Sequence, residues 1–150
     1  MSLTEEVDAL RRVPLFANIE PAKLKLLAFT SERLNFADGQ TLFRQGELGD
    51  AAYILLDGAA DVLVNTTTGP RKVASLGRHQ IVGEIAVLCD VPRTATVVAA
   101  GPLVTLKISK DHFVRMIGEF PQMAIEILRE LAKRLDMTTR QLQAALSKQA

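Results

Sequence analysis

The chain has 150 residues and a mass of 16.4 kDa, a length that suits one domain with room to bury a core. Its 18 Lys and Arg against 17 Asp and Glu leave a formal charge of +1, which excludes a strong electrostatic footprint for nucleic acid or an anionic membrane. No run approaches the roughly 18 apolar residues of a membrane-spanning helix, and the single cysteine, Cys89, excludes an internal disulfide, a cysteine zinc site and a four-cysteine cluster.

The N-terminus, Met1 to Glu6, has neither the basic start nor the apolar core of a signal peptide. With one cysteine, this points to a reducing, cytoplasmic setting. Ser2-Leu3-Thr4-Glu5 has the form of a capping box, so a short helix is expected to about Arg12. Pro21 suits the first turn of a second helix, with Leu24, Leu27 and Ala28 on one face. Residues 1–31 contain no glycine.

From 33 to 108 short apolar runs alternate with turn signals such as Asp38-Gly39, Asp57-Gly58 and Gly101-Pro102. This spacing predicts strands at 33–36, 41–44, 52–57, 60–65, 72–76, 94–100 and 103–108. Asp57-Gly58 reads as a tight hairpin turn. Helical periodicity returns after Ser109, a suitable N-cap with Asp111 at the positive end. Phe120-Pro121 breaks the segment. One helix of roughly 26 residues, about 39 Å, should follow to Leu146, and the tail from Ser147 should fray. The predicted class is α+β. A single domain over 1–150 has helices at 2–31, an antiparallel, jelly-roll-like β-roll at 33–108 and helices at 109–147.

Gly83-Glu84-Ile85-Ala86-Val87-Leu88 and Pro92-Arg93-Thr94-Ala95-Thr96-Val97 are the segments that carry chemistry. A small anion needs backbone N–H groups free to point at it, which a glycine and a helix start provide. It also needs a guanidinium for bidentate contact. A carboxylate can accept from a sugar hydroxyl. Arg93 opens an apolar strand, and an arginine buried there requires a partner. On the residues alone, Glu84 and Arg93 are either an internal ion pair or two halves of a ligand site.

These segments resemble the phosphate-binding cassette of the cyclic nucleotide-binding domain family. Pro14-Leu15-Phe16 with the leucine-rich helix after it, and Gln45 to Asp50 with Tyr53-Ile54-Leu55, extend the resemblance over most of the chain. It implies that Arg93 binds the exocyclic oxygens of a cyclic phosphate and that Glu84 accepts from the ribose 2′-OH. Backbone groups near Gly83, Ile85 and Ala86 would complete the cradle, and Thr94 would donate to phosphate or to guanine. The implied base pocket is Val62, Val73, Ala74 and Leu76, with Val82 standing where an aromatic residue is common.

In the last helix Leu128, Leu135 and Leu142 form one heptad seam position, and Ala124, Leu131, Thr138 and Ala145 the other. That pattern suits a homodimer; packing on the chain's own β-roll is the plainer alternative. Residues 132–139 resemble the dimer helix of the family's bacterial catabolite-activator-type members. This implies adenine contacts from Thr138 and Thr139, one hydroxyl from each subunit, and a pocket role for Arg134. The expected ligand is therefore cAMP before cGMP, with no metal or other cofactor and no direct nucleic-acid or membrane contact. His79 and His112 have no ligand spacing, Cys89 falls in a variable loop, and no catalytic triad or carboxylate pair stands out, so no enzyme is expected. Two readings remain: a nucleotide sensor, such as the sensor part of a transcription regulator, and a ligand-free dimerisation domain of the same fold.

Overall fold

The computed structural model describes residues 2–149. Helix α1, Leu3–Arg11, starts where the Ser2 hydroxyl accepts the Glu5 N–H at 3.2 Å. It buries Ala9 and Leu10, and its Glu6 reaches Arg33 of the first strand, with Arg33 Nε donating to Glu6 Oε1 at 2.8 Å. A single 3-10 turn, Pro14–Phe16, leads to α2, Pro21–Thr30, which buries Leu24, Leu27 and Ala28 as its periodicity predicts.

Eight strands follow: β1 Glu32–Phe36, β2 Thr41–Phe43, β3 Ala51–Asp57, β4 Ala60–Thr66, β5 Gly69–Leu76, β6 Ile81–Val82, β7 Thr96–Ala99 and β8 Leu103–Ser109. They make two four-stranded antiparallel sheets, ordered β1-β8-β3-β6 and β2-β7-β4-β5. The jelly-roll-like α+β class expected from the pattern is the observed one. β3 explains how the layers are glued. Its side chains alternate, so Ala52, Ile54 and Leu56 pack under the helices with Leu10, Phe16, Leu24 and Phe113. Tyr53 and Leu55 turn instead into the roll, against Phe43, Val82, Val97 and Leu103. A strand covered on both faces reads as one continuous apolar run, as Ala51 to Leu56 does.

Helix α3, Glu84–Cys89, interrupts the roll between β6 and β7. Helix α4, Lys110–Glu119, is capped by the Ser109 hydroxyl, which accepts the His112 N–H at 3.3 Å. Helix α5, Pro121–Gln149, has 29 residues, about 43 Å. It continues past Ser147, against the expected fraying. No breaker interrupts it, and Lys148 in its last turn complements the helix dipole. Other differences concern strands. β6, with two residues, is too short to show a period, the strand expected at 94–100 is regular only from Thr96, and that expected at 72–76 begins at Gly69. Asp57-Gly58 does not close a hairpin, because β3 and β4 belong to different sheets. No helix of the described residues is long and apolar enough to cross a membrane.

Candidate functional site

β6 delivers the chain to Gly83, whose φ of +84° makes the turn into α3. The short helix ends at Asp90, also left-handed, and the loop after it returns to Arg93. Arg93 is only 3 % exposed. Its main chain is clamped to the segment before β3: Arg93 N–H donates to Glu47 O at 2.7 Å, and Gly46 N–H to Arg93 O at 2.9 Å. Arg93 Nη1 donates to Gly83 O at 2.8 Å and Nη2 to Ala51 O at 2.7 Å. The guanidinium lies 4.0 Å above the Phe43 ring. Its Nε has no hydrogen-bond partner among the described residues.

Among the described residues no carboxylate neutralises this charge at hydrogen-bond distance; Asp50 Oδ1 stands 3.8 Å from Nη2 and its side chain is 78 % exposed. Desolvation pulls the Arg93 pKa below the usual arginine value, while Tyr53, Asp50, Glu47 and Glu84 oppose that shift. Glu84, 5 % exposed, does not pair with Arg93. Its Oε1 accepts from Arg134 Nη1 at 2.6 Å, which ties α3 to α5. The internal Glu84–Arg93 ion pair that the residues alone allowed is therefore not formed.

Beside Arg93 opens a cavity of about 480 Å³. Of the expected site residues, Gly83, Glu84, Ile85, Ala86, Arg93, Thr94, Val62, Ala74, Leu76, Val82 and Arg134 line it. Val73 does not. Val62 lies opposite Ala74 and Leu63 opposite Lys72, so Val73 is the extra residue of a bulge and is 58 % exposed. Thr138 and Thr139 are exposed on α5 and do not line the cavity. The face α5 offers instead is Glu130, Lys133, Arg134 and Met137. Helical spacing from Arg134 could have found Glu130 and Met137, because i−4 and i+3 share its face. Phe43, Gln80, Ile81, Ala95 and Val97 complete the lining; nothing local in the sequence marks Phe43 as the ring beneath Arg93. His79 lies in the turn between β5 and β6 and His112 on α4, Cys89 is free and exposed, and no cluster among the described residues could hold a metal ion.

The family model of the cyclic nucleotide-binding domain matches residues 33–120. The chain belongs to the cyclic nucleotide-binding domain family. This cyclic nucleotide-binding regulatory domain is 35% identical over 109 residues to a cAMP-dependent protein kinase regulatory subunit of Aspergillus niger, covering 73% of this chain and 26% of the relative. It thus spans about a quarter of the length of that curated relative. Its fold is similar to the crystal structure of Thermus thermophilus catabolite activator protein, with a TM-score of 0.78, 27% identity and coverage of 87% of this chain and 62% of the other. The regulatory domain of Toxoplasma gondii PKA, crystallised with cAMP, gives a TM-score of 0.77 at 25% identity, over 88% and 50% of the two chains.

Proposed function

We propose that this domain binds cAMP in the cavity beside Arg93 and transmits occupancy through α5. The observation that carries this is the buried Arg93 guanidinium. It is held by two carbonyl oxygens, and among the described residues its Nε has no partner and no carboxylate lies within hydrogen-bond reach. Carbonyl dipoles orient a charge but do not neutralise it, and a buried charge left so is costly. A cyclic phosphate would supply the missing anion. In this reading Glu84 accepts from the ribose 2′-OH, and the unpaired first-turn N–H groups near Ile85 and Ala86 face phosphate oxygens. Thr94 sits at the rim. Val62, Ala74, Leu76 and Val82 enclose the base. The domain acts by binding, with no catalytic role, over residues 1–150 and in the cytoplasm.

The output follows from the Glu84–Arg134 pair. A ribose hydroxyl on Glu84 competes with Arg134 for the same carboxylate, so occupancy changes how α5 is held. Beyond Ile127, α5 leaves Leu128, Leu135 and Leu142 between 58% and 68% exposed. A second copy pairing along that stripe would bury them and carry Thr138 and Thr139 toward adenine, as a sensor in a transcription regulator would require. Calorimetric titration of the purified chain with cAMP and with cGMP tests the reading. Saturable binding with cAMP tighter supports it. No heat with either nucleotide moves the assignment to a ligand-free dimerisation domain, which the exposed leucine stripe alone would favour.

A further inference from the structure

A second cavity, of about 180 Å³, lies behind the Glu84–Arg134 ion pair. One side is apolar: Val13, Pro14 and Leu15 from the start of the 3-10 turn and the residue before it, Ile81 from β6, and Ile127 with Leu131 from α5. The other side is polar and carries His79, Gln80, Glu84, Glu130 and Arg134. Size and lining together set the class of occupant. A dry apolar cavity of ~150 Å³ admits a molecule as large as benzene. Here the cavity as a whole has that scale, and its polar side offers a guanidinium with one N–H engaged, by Glu84, among the described residues. The planar fork of arginine matches a carboxylate in two-point contact. Glu130 on the same wall disfavours a dianion. Arg12 and Arg78 lie close enough to act electrostatically on His79, so cationic side chains also stand on that side of the cavity.

We propose that this second cavity binds a small apolar monocarboxylate, aromatic or short and branched, with its carboxylate on Arg134 and its body between the 3-10 turn and α5. Only the link to nucleotide rests on the function proposed above. Glu84 and Arg134 wall both cavities, so an acid that draws charge from Arg134 loosens its hold on Glu84. Glu84 is then freer to accept from a ribose, and the acid and cAMP each raise the other's affinity by one common factor.

The probe is 4-fluorobenzoate, followed by fluorine NMR on the full chain without nucleotide, at ionic strength matched with chloride. Saturable binding is expected. It should be lost in Leu131→Phe, which fills the cavity, and in Arg134→Gln, which removes the fork. Both variants are checked for native circular dichroism, and either one alone suffices if the other fails to fold. Absence of saturable binding, equal binding by both variants, or preference for benzylamine overturns the site. Calorimetry of cAMP with saturating 4-fluorobenzoate then reads the link. A gain of about fivefold or more in cAMP affinity is expected; an unchanged or weaker affinity overturns the coupling while the NMR result stands. A chain that binds the acid but no nucleotide overturns the proposed function and leaves the second site intact.

Discussion

Truncating Arg93 to Ala removes the donor to Gly83 O and Ala51 O together with the charge proposed to meet the phosphate. Loss of a charge-assisted, desolvated contact should weaken cAMP by about 2–5 kcal/mol, where each 1.4 kcal/mol is tenfold. Calorimetry reads that loss. A melting curve reads the separate cost of two buried carbonyls left without partners. Gly83 allows a sharper dissection. Its φ is +84°, and a Cβ there would lie 2.5 Å from Arg93 Nη1. Gly39 has a similar φ of +81° with nothing within 4 Å of such a Cβ. Both Gly→Ala changes should cost roughly 1–2 kcal/mol of stability from the left-handed backbone. Only Gly83→Ala should also displace the guanidinium and reduce nucleotide affinity. Equal affinities for the two variants would separate Arg93's position from binding.

Among the elements, α5 carries the dimer proposal. Leu135→Asp places a charge on the exposed stripe where a second copy would pack, so it should shift a wild-type dimer to monomer in sedimentation. A wild-type chain that is monomeric with and without nucleotide would make α5 a lid over its own cavity. Replacing Thr138 and Thr139 with Ala and Val should weaken cAMP more than cGMP if those hydroxyls arrive from a dimer. If instead Lys133 and Met137 cover the base, the double change leaves both affinities alone. These elements were unequally legible in the sequence. Helix α2 announces itself through Pro21, α4 through Ser109 and a regular apolar face, and the β3 run through its length. β6 is invisible because two residues carry no period; its existence depends on Tyr53 and Ile54, far away in sequence. Val73 is a different case: the resemblance implied a pocket role, but Ala74 and Leu76 line the cavity, so alternation sets Val73 on the other face, and the bulge in the β4–β5 pairing leaves it exposed. The cassette itself was readable because Gly83, Glu84 and Arg93 are close in sequence, whereas Phe43 and Ala51 reach Arg93 only through the closed roll.

For the molecule as a whole, a ligand confined to the folded state stabilises it by mass action. At a hundred times its dissociation constant, cAMP should add about 2.7 kcal/mol and raise the melting temperature. A ligand-free domain would melt at the same temperature with or without it. The sheet order carries a kinetic consequence as well. β1 and β8 are neighbours, with Glu32 opposite Lys107, so the first strand of the roll waits for the last. Closing so long a loop before any pairing energy returns makes folding slow, in the range of milliseconds to seconds. During synthesis, β1 stays unpaired until β8 has left the ribosome. The cradle around Arg93 needs β3, α3 and β7 in place together, so nucleotide has nothing to grip in a half-made roll. In stopped-flow experiments cAMP should therefore slow unfolding and leave the refolding rate almost untouched. The messenger would govern how long a finished domain lasts, and chain topology alone would govern how soon it is finished.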